Sequence, residues 1–316
     1  MADSDFLVIA HRGASGYLPE HTLEAKAYAH ALGADYIEQD VVATRDNELV
    51  ILHDIHLDGV TNVGEKFPDR HRDDGRFYAR DFDLAEIKSL NVSERRNEDG
   101  VTPVFPGRFP TGVGRFHVPT LREEIKLIQG MNKSTGREVG VYVEIKRPGW
   151  HQAEGVDISP LVLEMLDDLG YRSRNDACFV QCFDAAEIRR IRHELGCQLK
   201  LVQLIGENAW GESDTDYDQL RTVEGLQELA RSVDGIGPYI GHLVEMSEID
   251  GGPVSTGLVS SAHDVGLIVH PYTFRADQMA PGFDSLQEMI RWFVDELKID
   301  GVFTDFPDMA LEAIRM

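Results

Sequence analysis

The stretch VIAHRGASGYLPEHTLEA, from Val8 to Ala25, decides the fold, because it passes from an apolar strand through a short loop into a helix. His11 and Arg12 stand side by side at the end of that strand. A titratable ring beside a fixed positive charge is costly at a strand end unless an anion binds there. The nature of that anion therefore has to be inferred from the other residues of the chain.

The strand-then-helix order recurs about eight times, which predicts a (β/α)8, or TIM, barrel. Apolar segments predict strands at 6–10, 35–42, 48–52, 140–146, 177–182, 199–205, 235–238, 267–270 and 301–304. Helices are predicted at 20–32, 84–90, 158–169, 184–195, 220–232, 256–265 and 285–297, after Thr120 with its capping-box partner Glu123, and from Phe306. The alternative, an open doubly wound sheet, lacks its Gly-rich phosphate fingerprint, and no Walker motif occurs.

The alternation of strands and helices is interrupted between about residues 55 and 118, where the chain is polar and rich in Gly, Pro, Arg and Asp. We expect an insertion after the second strand that folds over one end of the barrel, because an unstructured stretch of this length is uncommon unless it is functional. No linker splits the chain, so residues 1–316 are expected to form a single barrel domain.

The net charge of −24 argues against a nucleic-acid-binding surface and against adhesion to anionic membranes, which both need basic patches. No apolar run is long enough for a transmembrane helix, so no stable membrane insertion is expected. The start MADSDF lacks the features of a signal peptide, which predicts a cytoplasmic protein, with the periplasm as the alternative for a mature form. The three cysteines do not cluster with other ligands, so no zinc site is predicted. A homodimer is expected only because it is the commonest oligomeric state of soluble proteins.

Active sites of such barrels lie at the carboxyl ends of the strands, so residues at those ends are the candidates. Alternate residues of a strand point the same way, which places Glu38 and Asp40 on one face, and likewise Glu144 and Lys146. Three carboxylates at one barrel mouth need a counter-charge. A hard divalent cation such as Ca²⁺ or Mg²⁺ is the natural one.

Cationic and titratable side chains complete this group. Arg12 and Lys146 supply fixed positive charge that suits a phosphate oxyanion. His11 and His53, each at a strand end, can deprotonate an attacking oxygen and protonate a leaving one. Singly, each feature has a structural explanation: a hydrogen-bonded core histidine, a solvated acidic pair or a simple Glu–Lys ion pair. Their joint placement at one barrel mouth favours a catalytic site.

The sequence resembles the glycerophosphodiester phosphodiesterase family, most closely its longer bacterial periplasmic-type branch. The resemblance runs the whole length of the chain and is carried by AHRGASGYLPEHTLEA, GADYIEQDVVATRDNELVILHD, YVEIKRP, VQCFD, VHPYTFR and DGVFTDFPD. It implies hydrolysis of glycerophosphodiesters, such as glycerophosphocholine and glycerophosphoethanolamine, to sn-glycerol 3-phosphate and an alcohol.

The resemblance also implies roles for individual residues. They are acid/base catalysis by His11 and His53, ligation of one divalent cation by Glu38, Asp40 and Glu144, and phosphate contacts from Arg12 and Lys146. Gln181, Phe183 and Tyr272 are expected to line the substrate site. Glu20 and His21 belong to the first motif and are expected to orient its loop rather than to react.

Several alternatives stay open. The residues suit Ca²⁺, which we favour, or Mg²⁺, and they suit water or the substrate's own 2-hydroxyl group as the nucleophile. A phospholipase D-like barrel enzyme acting on lysolipids or sphingolipids would share the two histidines and the carboxylates. A phosphodiester-binding protein without activity would need a broken histidine or carboxylate, and all seven core positions are intact.

Overall fold

In the computed structural model, which describes residues 6–249 and 251–315, the core of the protein is a barrel of parallel strands. The strands are β1 (Leu7–Ala10), β2 (Tyr36–Ala43), β3 (Leu49–Ile51), β4 (Gly140–Ile145), β5 (Cys178–Cys182), β6 (Lys200–Ile205), β7 (Gly235–Pro238), β8 (Val244–Met246), β9 (Pro253–Ser255), β10 (Ile268–Val269) and β11 (Gly301–Thr304). Eight of them pair in parallel in the order β10-β7-β6-β5-β4-β2-β1-β11, and β3 pairs antiparallel with β2.

Backbone hydrogen bonds join the two ends of this sheet. The amide of Asp300 donates to the carbonyl of Val269 over 3.0 Å, and the amide of Phe303 donates to the carbonyl of Pro271 over 3.0 Å. These bonds connect the segments around β10 and β11, so the sheet curls round into a barrel. The predicted (β/α)8 barrel is confirmed.

Helices surround the strands. They are α1 (Leu23–Leu32), α2 (Val63–Lys66), α3 (Leu84–Lys88), α4 (Leu121–Thr135), α5 (Pro148–Ala153), α6 (Ile158–Asp168), α7 (Ala185–His193), α8 (Tyr217–Leu220), α9 (Val223–Leu229), α10 (Leu258–Asp264), α11 (Leu286–Trp292) and α12 (Pro307–Arg315). The predicted capping box is confirmed, because the Thr120 hydroxyl accepts from the Glu123 amide and the Glu123 carboxylate accepts from the Thr120 amide. Within the described residues, none of the helices combines the length and the apolar character that crossing a bilayer requires.

The helix predicted over 220–232 forms as α9, which begins later and ends earlier than predicted, because the Thr222 hydroxyl accepts from the Gly225 amide and caps it. The short helix α8 before it has no counterpart in the prediction. Thr22 likewise caps α1, which begins later than predicted. α5 and the hairpin of β8 and β9 have no counterpart in the prediction, since elements this short carry little periodicity.

Large side chains fill the barrel interior. A buried cluster consists of Ile9, Tyr142, Phe179, Val202 and Phe303, and the Tyr142 and Phe179 rings stack with centroids 4.6 Å apart. A larger apolar cluster lies between the strands and the helices around them. Because packed side chains occupy the middle of the barrel, a substrate has to bind above them, at the strand ends.

Residues 55–118, the insertion, connect β3 with α4 and carry α2 and α3. Their apolar side chains form a cluster of their own, in which Phe82, Val92 and Phe116 share contacts with Val42 and Val50 of the neighbouring strands. The insertion therefore packs directly on the part of the chain that carries the carboxylates of β2. That the chain forms one domain stays a prediction.

Candidate active site

A cavity of about 710 Å³ opens at the carboxyl ends of the barrel strands, a size typical of small-molecule sites. One part of its wall is polar and includes His11, Arg12, Glu38, His53 and Glu144. Another part is aromatic and apolar and includes Phe183, Trp210, Tyr239, Met246 and Tyr272. The folding of the chain thus brings predicted site residues from distant segments to one cavity.

Three carboxylates form a compact group beside this cavity. Glu38 and Asp40 lie on β2, and Glu144 lies on β4 opposite Asp40 in the strand register. One ligand oxygen from each lies within 4.8 Å of the other two. Gln39, between the two acidic residues, points away and accepts a hydrogen bond from the Tyr142 amide. The alternation of a β-strand therefore places the acidic residues together, as the sequence predicts.

The three carboxylates are buried, and their negative charges repel one another. Burial and the charge of Asp40 raise the pKa of Glu38 to about 8, and burial also raises the pKa of Glu144 well above its usual value. Burial acts the same way on Asp40, but His21 and Lys146 outweigh it and hold the pKa of Asp40 well below its usual value. Without a cation, the group therefore cannot carry three negative charges at neutral pH.

The hydrogen bonds of the group fit a divalent cation. Glu38 accepts from the Arg12 amide over 2.8 Å and from the Gln181 amide group over 2.9 Å, and Glu144 accepts from the Lys146 ammonium over 2.6 Å. Oδ1 of Asp40 is buried, and no described residue donates to it. A buried, unpaired carboxylate oxygen is costly, and a cation would be its partner. The all-oxygen donor set suits Ca²⁺ or Mg²⁺ rather than Zn²⁺.

His11 is fixed by the last strand of the barrel. Its Nδ1 lies 2.5 Å from Oδ1 of Asp305, and its Nε2 lies 3.9 Å from Oε2 of Glu38. Burial and the charge of Arg12 lower the pKa of His11 to about 4, although Asp305 opposes the shift. The ring is therefore neutral at neutral pH. Because the carboxylate can only accept, Nδ1 carries the proton and Nε2 is left able to accept one.

His53 has a similar arrangement on another side of the cavity. Its Nδ1 lies 2.6 Å from Oδ1 of Asp54, and 27% of its side chain is exposed. Burial, followed by the charges of Arg12 and Lys146, lowers the pKa of His53 to about 3. The Asp54 carboxylate fixes the Nδ1–H tautomer in the same way as Asp305 does for His11.

Arg12 and Lys146 remain charged beside the carboxylates. Nη1 of Arg12 donates to both oxygens of Glu20 over 3.0 and 3.1 Å, and its Nε lies 3.9 Å from Oδ2 of Asp40. Burial would lower the pKa of Lys146, but Glu144 and Asp40 raise it above its usual value. Two fixed positive charges therefore stand next to the acidic group, where an oxyanion of the substrate would be stabilised.

The first loop holds these groups in place through Glu20 and His21. Nε2 of His21 lies 2.7 Å from Oδ2 of Asp40, and the Lys26 ammonium lies 3.2 Å from Nδ1 of the same ring. An ammonium can only donate, so Nδ1 accepts and Nε2–H donates to Asp40. Glu20 pairs with Arg12 and with Arg95 of the insertion. Both side chains contact site residues rather than the cavity centre.

Three further predicted residues lie at different depths. Gln181 is fully buried behind Glu38 and donates to that carboxylate. The Phe183 ring lies 5.5 Å from the Lys146 ammonium and lines the cavity. Tyr272 also lines the cavity, and its hydroxyl donates to the carbonyl of Ile205 over 3.0 Å. Gln181 thus contacts the acidic group, whereas the two rings face the cavity.

Sequence reasoning missed a set of charged residues behind the site. Asp54 and Asp305 hold the two histidines, and both stand at strand ends, where their position was a usable signal. Arg95 and Arg108 hold these aspartates, but they lie in the irregular insertion, where no period assigns a direction to a side chain. Lys26 and Glu124 form a fully buried ion pair beneath His21, at 2.9 Å.

The fold and the site together define a class: a (β/α)8-barrel protein whose mouth combines a cluster of three carboxylates, fixed positive charge and two neutral histidines. The chain belongs to the glycerophosphoryl diester phosphodiesterase family, whose model matches residues 11–309. The predicted family and enzyme class are confirmed.

Relatives and solved structures cover nearly the whole chain. It is 43% identical over 329 residues to the glycerophosphodiester phosphodiesterase of Haemophilus influenzae (99% of this chain, 90% of the relative). It is 36% identical over 326 residues to that of Treponema pallidum (98% and 92%). A solved structure from Silicibacter pomeroyi is 27% identical with a TM-score of 0.74 (99% and 94%). An Oleispira antarctica phosphodiesterase, solved with its product sn-glycerol-3-phosphate, is 20% identical with a TM-score of 0.65 (98% and 97%) and supports the fold.

The buried ion pair of Lys26 and Glu124 is predicted to stabilise the fold beneath the site. Replacing Lys26→Met leaves a buried, unpaired carboxylate and should lower the free energy of unfolding by about 3–5 kcal/mol. The double variant Lys26→Met with Glu124→Met removes both charges and should recover part of that loss, while the hydrogen bonds that Lys26 donates to His21 and to the carbonyl of Glu38 stay lost. Equilibrium urea denaturation measures both. A single variant as stable as the parent protein would show that the ion pair does not matter.

Proposed function

We propose that the protein hydrolyses glycerophosphodiesters, such as glycerophosphocholine and glycerophosphoethanolamine, to sn-glycerol 3-phosphate and the free alcohol. The observation that carries this proposal is the placement of two neutral histidines in one cavity with an acidic cation site. In the proposed mechanism, Glu38, Asp40 and Glu144 hold one divalent cation, which is Ca²⁺ or, as the alternative, Mg²⁺. His11 and His53 transfer the protons.

Binding follows from the charges on the cavity wall. The phosphate of the diester lies against Arg12 and Lys146, and Phe183 and Tyr272 border the rest of the substrate. When bound, the cation would stabilise the negative charge that builds up on the phosphoryl oxygens. Arg12 can offer two N–H groups to one phosphate, because its planar fork matches two oxygens at once.

Proton transfer follows from the state of the two rings. A histidine with a lowered pKa is neutral at pH 7 and can take the proton of the attacking oxygen, which is that of water or of the substrate's 2-hydroxyl group. The second ring has to carry a proton when the alcohol leaves. The charges of Arg12 and Lys146 lower the pKa of His53, and a bound phosphodiester anion would offset them, which favours protonation.

Lysophospholipids are a second candidate substrate class, favoured by one observation. The hairpin of β8 and β9 exposes Met246, Ile249 and Val254, and Met246 also lines the cavity together with Met279 and Pro281. An exposed apolar edge beside a site is what an acyl chain or a lipid surface would contact. The same head-group chemistry would then release an alcohol from a lipid substrate.

The reaction should be visible directly by ³¹P NMR. Protein stripped with EDTA should leave glycerophosphocholine intact, and restoring Ca²⁺ or Mg²⁺ should produce sn-glycerol 3-phosphate. A transient cyclic glycerophosphate would identify the 2-hydroxyl group as the nucleophile. Lysophosphatidylcholine forms a parallel arm with the same ions. Absence of turnover of any glycerophosphodiester by folded protein with either ion would contradict the proposed function.

His53→Ala should remove an acid/base group without disturbing the cation site. We expect kcat for glycerophosphocholine to fall by about 10²–10⁴-fold, while calorimetry shows an unchanged cation affinity. His71→Ala is the matched control, because His71 is an exposed histidine of the insertion that does not line the cavity. A variant at His53 that kept more than about a tenth of its rate would show that the ring does not transfer a proton.

A further inference from the structure

Each histidine of the site is the end of a chain of charged contacts that begins in the insertion. Arg95 donates to Asp54, and Asp54 holds His53. Arg108 donates to Asp305, and Asp305 holds His11. Both chains thus have the same order, Arg–Asp–His, although the two histidines come from different strand ends.

Arg95 uses all three of its side-chain nitrogens. Nη1 donates to Oδ2 of Asp54 over 2.5 Å, and Nη2 and Nε donate to the two oxygens of Glu20 over 2.7 and 3.0 Å. Because Glu20 also pairs with Arg12, the guanidinium of Arg95 links the support of His53 to the phosphate-binding side of the cavity. Its direction is therefore fixed at both ends.

Arg108 holds the other aspartate. Nη2 donates to Oδ2 of Asp305 over 2.7 Å, and Nε and Nη2 donate to Asp277 over 2.8 and 2.9 Å. Arg275 also donates to Oδ2 of Asp305, over 2.8 Å. Asp305 thus has two arginine partners, whereas Arg95 is the one cation in contact with Asp54 within residues 6–249 and 251–315.

We propose that the insertion supplies two positioning residues for the reaction, Arg95 and Arg108, which hold the imidazoles of His53 and His11 ready for proton transfer. The proposal rests on the proposed function, because it assumes that these rings exchange protons with the substrate. It gives the insertion a part in the chemistry beyond that of a cover over the barrel.

The physical reason is the way in which a carboxylate is shared. In both chains the arginine binds Oδ2, so that Oδ1 is left for the Nδ1–H of the ring. A carboxylate without its arginine can rotate or become protonated, and the ring then loses its fixed tautomer and direction. Proton transfer depends directly on that alignment, whereas binding of the phosphate depends on Arg12 and Lys146, which Arg95 reaches only indirectly, through Glu20 and Arg12.

The test compares kcat and KM of Arg95→Gln and Arg108→Gln with the intact enzyme on glycerophosphocholine and the active ion. We expect Arg95→Gln to lower kcat by about 10–100-fold, as loss of an outer partner of a site residue commonly does, with a smaller change in KM, because Arg95 reaches the phosphate side only through Glu20 and Arg12. Arg108→Gln should lower kcat less than Arg95→Gln does, because Arg275 still donates to Asp305. Arg95→Lys, which keeps the charge but replaces the planar guanidinium by a compact ammonium, should recover part of the loss.

Arg72→Gln is the matched control. Arg72 is an insertion arginine that pairs with Asp81 and with Glu154 outside the insertion, and it contacts neither aspartate of the two chains. Its loss weakens the attachment of the insertion without touching a histidine support. We expect kcat of this variant to stay within about twofold of the intact enzyme.

A second substrate separates positioning from general damage. The p-nitrophenyl ester of glycerol 3-phosphate has a leaving group that departs without a proton. One of the two arginines positions the histidine that protonates the leaving alcohol, and its loss should change kcat for this ester little. Loss of the other arginine should lower kcat for both substrates. Nitrogen NMR of the histidines should show Nδ1–H for His53 in the intact protein and a mixed tautomer in Arg95→Gln.

Two results would overturn the proposal. One is a loss in Arg95→Gln that Arg72→Gln matches, since the insertion would then act only as a fold element. The other is an unchanged His53 tautomer together with equal losses on both substrates for both arginine variants. If the intact enzyme itself fails to hydrolyse glycerophosphocholine, the proposed function fails instead, and the tautomer measurement still decides whether Arg95 fixes the ring.

Discussion

Three carboxylates packed into one buried place are the constraint on which the rest of the site depends. Glu38, Asp40 and Glu144 lie within 4.8 Å of one another on adjacent strands, and the raised pKa values of two of them record their mutual repulsion and burial. A barrel without a function here would gain stability from apolar residues at these positions. Under the proposed function, a divalent cation bound by all three carboxylates accounts for their presence.

The remaining charges are arranged around this constraint. Positive side chains stand next to the acidic group, and further carboxylates hold those positive side chains, so that charge of one sign is backed by charge of the other out to the insertion. The histidines are the exception, because burial and the charge of Arg12 lower the pKa of each ring and leave it neutral and able to accept a proton. Fixed charges around two neutral rings fit the proposed mechanism, in which the histidines transfer protons while the charged groups hold the phosphate.

Strand alternation and the barrel rule were enough to group Glu38, Asp40, Glu144 and His11 from sequence, because regular strands fix both the face and the end at which a residue lies. The same rules could not find Arg95 or Arg108, whose positions depend on how an irregular segment packs. The later start of α9, after Thr222, was also missed, since a cap and not the amphipathic pattern sets the first residue of a helix. Candidate catalytic residues at strand ends are therefore easier to predict from sequence than the residues that position them.

The free energy of unfolding against the concentration of free Ca²⁺ or Mg²⁺ is the most direct test of the central claim, that the acidic group exists to bind a cation. One of the two ions should stabilise the intact protein by about 2.7 kcal/mol at a hundredfold excess over its dissociation constant. In Glu38→Gln with Glu144→Gln, the ion-free protein should be at least as stable as the parent, and the ion should add nothing. If neither ion changes the free energy of unfolding of the intact protein, the acidic group does not bind a cation and the central claim is contradicted.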